Sequence, residues 1–315
     1  MKQTGEITTV YHYCSVETFY EIISGKMLRL SDIDKSNDYM ERKWLQRFIL
    51  ETALEEYDKK PFELNFLYEE KMLEGHEAVE ALINFELMTT GKRWYEELIT
   101  YAICFSEKQD SLSRWRGYAD DGRGVCIGFR ADRIREKLIQ NRESDDPGHT
   151  FQFKPIRYLE NEQKDLIRPY IKNIFKELSI LLKQKAKPTG EIIKLFLAIN
   201  GESAFCKNPA FSEEHEWRLA VNFPLPTENS YVKFARQSEH VAQNDLFSRI
   251  KTAVVKKSIK SYVELNLQTI GMDAITSVCL GPKCALTKND VMLFLFSEQI
   301  SVPAENITAS LATYR

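Results

Sequence analysis

Apolar and polar positions along this chain switch between a spacing of two and a spacing of three to four, and the switches predict the elements. Thr8 to Cys14 is rich in Thr, Val and Tyr and reads as a strand. Ser15 is a helix N-cap, with Thr18 three residues on, so the full capping box is absent. The helix runs to about Ser24 and stops at Gly25, read as a left-handed terminator. Met27 to Leu30 is a short strand, and Asp32 to Asp38 is polar and turn-like. The spacing of Trp44, Leu45, Phe48, Ile49 and Ala53 predicts a helix from Tyr39 to about Tyr57, ended by Pro61. Residues 62 to 98 are expected to continue as helices broken near Gly75 and Gly91. Leu98 to Phe105 is a continuous apolar run, as in a buried strand.

Leu112 to Tyr118 is a short helix ended by Asp120-Asp121-Gly122, and Gly124 to Phe129 is the next strand. A helix over Ala131 to Gln140, a polar loop over Asn141 to Gly148 and a strand over Phe151 to Tyr158 follow. Glu160 to about Ala186 is a long amphipathic helix, broken at Pro188-Thr189-Gly190, with another helix to about Cys206. Glu216 to Phe223 alternates with period two. Tyr231 to Ala235, Ser261 to Leu267 and Ile275 to Leu280 are further strands. Thr287 with Asp290 opens a helix to about Gln299, and a last strand starts at Asn306. Strand and helix do not alternate regularly, which excludes a doubly wound fold and predicts α+β with mainly antiparallel sheet. The expected organisation is a single domain with helical insertions at about 39–97 and 160–206.

Composition narrows the function classes. Hydrophobic residues make up 43% and charged residues 28%, as in ordinary globular chains. A net charge of -3 provides no global field for nucleic acid or anionic lipid. No apolar run reaches the roughly 18 residues of a membrane span, and the N-terminal MKQTGEITTV lacks the apolar region of a secretory signal. The six cysteines are scattered without a CxxC pair, which argues against a zinc ribbon or disulfide framework and for a reducing cytoplasm.

Three segments carry the chemistry: Tyr11-His12-Tyr13-Cys14-Ser15, Ser106 to Phe129, and Phe211 to Arg218. In a strand, His12 and Cys14 share one face while Tyr11 and Tyr13 take the other. A neutral imidazole offers one donor and one acceptor, which suits a ribose hydroxyl, general-base work or simple satisfaction within a sheet. Trp115 and Tyr118 are three apart on one helix face, and Arg114 and Tyr118 are four apart and could pair. The rings could stack on a heterocycle, but spacing alone favours anchoring the helix to the sheet. Arg114 and Arg116 could grip phosphate. Read as extended, the third segment points Glu214 and Glu216 one way and Glu213 and His215 the other. Two carboxylates on one face can raise one another's pKa, or one can stay ionised to stabilise a cation. An acidic loop entering an edge strand, with Arg218 pairing a glutamate, explains the same residues. HExxH, Walker and GxGxxG patterns are absent, and no metal is expected.

YHYCS, the following helix, the Gly25-Lys26-x-Leu28-x-Leu30-Ser31 strand, the Asn37-Asp38 turn, CFSEKQDSLSRWRGYADDGRGVCIGF, FSEEHEWRL, CLGPKC and the terminal ATYR are together similar to a bacterial family known as domain of unknown function 2971. That family carries Thr or Ser where Cys14 stands. More distantly, the layout resembles the ADP-ribosyltransferase fold. The resemblance implies NAD as substrate, with ADP-ribosyl transfer or NAD hydrolysis as the reaction and a toxin or phage-defence effector as the setting. His12 takes the early-strand position. Ser106, Trp115 and Tyr118 compete for the middle one, and Glu216, then Glu214, for the late-strand carboxylate. Tyr13 or Tyr118 would stack on nicotinamide, and Arg114 or Arg116 would neutralise pyrophosphate. The acceptor would be protein, nucleic acid, a small molecule or water. A non-catalytic nucleotide- or protein-binding module on the same scaffold is the competing expectation.

Overall fold

A computed structural model describes residues 8–35, 44–60, 62–68, 70–85, 98–142, 150–184, 190–224, 246–255 and 257–314. The chain divides into two compact units, one of residues 1–35, 100–155 and 213–315, the other of 36–99 and 156–212.

The first unit carries strands β1 (Thr9–Cys14) and β2 (Met27–Asp32), with helix α1 (Val16–Gly25) between them. The second unit follows in sequence with helix α2 (Gln46–Lys59), strands β3 (Asn65–Tyr68) and β4 (Lys71–Glu74), and helix α3 (residues 75–85). Strand β5 (Leu98–Ser106) leads to helix α4 (Leu112–Tyr118), β6 (Val125–Arg130), α5 (Ala131–Arg142) and β7 (Thr150–Pro155). Helices α6 (Glu160–Gln184) and α7 (Gly190–Glu202) complete the second unit's regular elements. The first unit closes with β8 (Glu216–Pro224), β9 (Lys251–Val255), β10 (Ser258–Asn266), β11 (Ile275–Leu280), helix α8 (Lys288–Ser297) and β12 (Ile307–Ala309).

Ten strands form one sheet in the order β12-β11-β6-β1-β5-β2-β10-β9, with β8 attached to β5 and β7 to β8. Only the β11–β12 pair is parallel among the described registers; the rest are antiparallel. The class is therefore α+β, as the irregular strand–helix order predicts. Tyr13 faces Cys126, which faces Cys279, so strand alternation gathers these side chains on one face of the sheet. Trp115 and Ala119 cover them. His12, opposite Ile127, points the other way.

The second unit has its own apolar core. Phe48, Ile49 and Ala53 of α2 pack with Ala78, Val79 and Ile83 of α3, with Ile167, Ile171 and Ile174 of α6, and with Phe196 and Ile199 of α7. On the rim, Glu56 of α2 is buried with Lys59, Arg168 and Lys172 around its carboxylate.

Several local expectations are corrected. Residues 65–74 form a hairpin, not a helix. Glu70 supplies the left-handed turn residue, and Phe66 sits across from Leu73 so that both reach the core. Helix α1 continues through Gly25, and Lys26 adopts the left-handed terminator conformation (φ 53°) instead. Strand β9 was not foreseen, and β12 ends at Ala309. The strand expected over residues 231–235 and the turn at 37–38 lie outside the described residues.

Candidate functional site

The polar cluster is built where β1, β5, α4 and the entry to β8 meet within the first unit. His12 of β1 has Nδ1 3.0 Å from the Cys104 carbonyl oxygen of β5. A carbonyl only accepts, so Nδ1 carries the proton and Nε2 is left as an acceptor. The ring meets Phe105 edge-on at 5.9 Å. Burial lowers the His12 pKa; the Cys104 bond opposes this, and the Arg114 charge adds to the lowering. The imidazole is therefore neutral at pH 7.

Ser106 closes β5 opposite Tyr11. Its Oγ donates to the Glu214 carbonyl at 3.0 Å and accepts from the Lys108 amide at 3.2 Å. Arg114, on α4, is buried. Its Nε and Nη2 donate to the same Glu214 carbonyl at 3.1 and 2.9 Å. Its Nη2 also lies 3.8 Å from both the Glu214 and the Glu216 carboxylates, and its guanidinium sits 4.8 Å over the Tyr118 ring. Burial works against the charged form of Arg114, but the Glu216 and Glu214 carboxylates outweigh it and raise the pKa.

The two carboxylates differ sharply. Glu216 begins β8, and its side chain is 1% exposed. Its Oε1 receives Arg218 Nε at 2.9 Å and Nη2 at 2.5 Å, because residues two apart on a strand share a face. Glu214, 13% exposed at its side chain, accepts from the Tyr118 hydroxyl at 2.8 Å. It is not part of an extended run. Residues Pro209–Glu214 form a 3-10 turn, and His215 is left-handed (φ 43°) before the strand starts. The extended reading of 213–216 is thus corrected, although both carboxylates still face Arg114.

The other expected ligand contacts take different places. Trp115 is fully buried, edge-on to Tyr13 at 4.8 Å, with Nε1 donating to Asp110 at 2.6 Å. It anchors α4 to the sheet and offers no open face for stacking. Tyr13 is also buried; its hydroxyl donates to the Lys108 carbonyl and accepts from the Ser111 amide. Tyr118 is 43% exposed. Arg116 is exposed and lies 5.6 Å over the Tyr314 ring. Asp110 was not foreseen. It binds Trp115, the Ser310 hydroxyl and the Leu311 amide. Those last partners are some 200 residues away in sequence, so no spacing rule could reveal them. Among the described residues no group of three His, Cys, Asp or Glu is placed to hold a metal ion.

These features define an α+β protein in which a helix packed on a mainly antiparallel sheet places a buried arginine between two glutamates. Residues 114–219 match the family model described as Protein of unknown function (DUF2971), which bears out the resemblance to that family. The matched span opens at Arg114 and contains Tyr118, Glu214, Glu216 and Arg218, while His12 and Ser106 lie before it. No curated protein and no solved structure matches the chain. No helix among the described residues is long and apolar enough to cross a membrane.

Proposed function

We propose that the protein cleaves the nicotinamide–ribose bond of NAD, as an ADP-ribosyltransferase or an NAD glycohydrolase. One observation carries this reading: two carboxylates of different exposure share one buried guanidinium. Cleavage builds positive charge on the ribose, as glycoside cleavage does. An ionised carboxylate placed beside that charge stabilises it. Glu214 is the accessible member of the pair and takes that role, with Tyr118 beside it. Glu216, held by Arg218 and Arg114, keeps the arginines in place. His12, a neutral imidazole with Nε2 as acceptor, suits a ribose hydroxyl. Arg116, on the exposed side of α4, suits the pyrophosphate. The acceptor is protein, nucleic acid, a small molecule or water.

A non-catalytic nucleotide- or protein-binding module is the second reading. The almost complete enclosure of Glu216 between two arginines favours it, since a carboxylate so committed can be purely structural. The test is nicotinamide release from NAD by the purified protein and by Glu214→Gln, Glu216→Gln and His12→Ala, each checked for folding by circular dichroism. A loss of about a hundredfold is expected for Glu214→Gln. Identical rates in all four proteins would remove the enzymatic reading. Calorimetric binding of NAD without turnover would favour the module.

A further inference from the structure

The chain enters β8 through a conformation that L-residues avoid. His215 has φ 43°, in the left-handed region where a Cβ crowds the following carbonyl. The backbone on both sides is gripped. The Glu214 carbonyl accepts from Arg114 Nε, Arg114 Nη2 and Ser106 Oγ at 3.1, 2.9 and 3.0 Å. The His215 carbonyl accepts from the Glu107 amide at 2.9 Å. The imidazole is about two-fifths exposed and lies 3.9 Å from the Glu107 carboxylate. On one side of this turn the Glu214 carboxylate reaches Tyr118; on the other, Glu216 starts the strand and meets Arg218. A strand running straight through 214–216 would hold the two carboxylates in one alternating row. With the turn, both carboxylates still reach Arg114, but Glu216 is enclosed and Glu214 stays partly exposed.

We propose that His215 is a positioning residue: its left-handed backbone, locked by Arg114, Ser106 and Glu107, aims the Glu214 carboxylate toward the ligand side while its imidazole takes no part. This rests on the reading that Glu214 is the ligand-facing carboxylate. Glycine and asparagine enter the left-handed region at low cost, whereas a β-branched residue there is a strong outlier. The experiment compares wild type with His215→Gly, His215→Asn and His215→Val, reading hydrogen exchange at the Glu107 amide, melting temperature, and kcat and KM for NAD. Gly and Asn are expected to keep Glu107 protection and kcat within about threefold of wild type. Val is expected to lose protection at least ~10-fold and to lower kcat by a similar factor, with KM little changed.

If Gly and Asn lose kcat as deeply as Val while Glu107 stays protected, the imidazole itself acts and the inference is overturned. Equal protection in all three variants overturns it too. A wild type without NAD turnover sinks the activity, whereas an exchange order with Val far below Gly and Asn still supports the turn.

Discussion

A neutral imidazole sunk beside Phe105 makes stability depend on pH in one direction. Burial, the leading cause, lowers the His12 pKa in the folded state below its ordinary value of 6.5. The unfolded chain therefore binds the proton first as pH falls. Stability is fully present above about pH 6.5 and declines below it, by at most ~1.4 kcal/mol per pH unit for this one group. Urea titrations between pH 7.5 and 5 should show that slope shrinking in His12→Gln, which keeps a donor for the Cys104 carbonyl; an unchanged slope would contradict the assignment. At Glu216 the expectation is different. Removing one of its partners, as in Arg218→Met, strands a buried charge and should cost about 3–5 kcal/mol. A melting temperature within a degree of wild type would contradict this. Both residues stood out in the sequence by their type and by strand alternation. Which of Glu214 and Glu216 is enclosed did not, because it depends on the left-handed step at His215.

Short-range signals served the elements well wherever a side chain meets its own backbone. Ser15 caps α1 as predicted, accepting from the Thr18 amide, and Thr287 and Asp290 complete a reciprocal capping box on α8. The signals failed for the β3–β4 hairpin, whose pairing is decided by the core that Phe66 and Leu73 share. Helix α4 shows the longer-range case. Trp115 anchors it through an indole N–H to Asp110, and Asp110 also ties residues 310 and 311 to it. Asp110→Ala should leave that buried N–H unpaired and cost about 1–3 kcal/mol. Combining it with Trp115→Phe should recover part of the loss in thermal melts, and strict additivity would argue against the contact. Although partial burial opposes it, the Ser310, Trp115 and Leu311 bonds lower the Asp110 pKa. A lowered folded pKa places the grip's contribution above the unfolded value near 3.9 and removes it as pH falls through the folded one. Leu311 amide protection should therefore persist at neutral pH and disappear only in strong acid.

On the scale of the whole molecule, two blocks separated in sequence share one apolar core. The insertions read at about 39–97 and 160–206 fall within the second unit, residues 36–99 and 156–212. Ile171 of α6 is completely enclosed there. Ile171→Ala should cost about 2–5 kcal/mol. Hydrogen exchange should then show faster opening of α2, α6 and α7 while β1 and β6 keep their protection. Uniform loss across both units would argue against separate cores.

From residue order alone came the periodicities, the caps, the α+β class and the three polar segments, because each rests on neighbours within a few positions or on strand alternation. The tertiary structure decided what those segments became. It enclosed Trp115 and Tyr13 in the core, joined Asp110 to residues 310 and 311, and left Glu214 partly exposed beside Tyr118 while Glu216 was locked between arginines. The physical reason is that burial and charge pairing are properties of what surrounds a side chain; the Arg218–Glu216 pair lies within two residues, but the Arg114 and residue 310–311 contacts arrive from about 100 or more residues away.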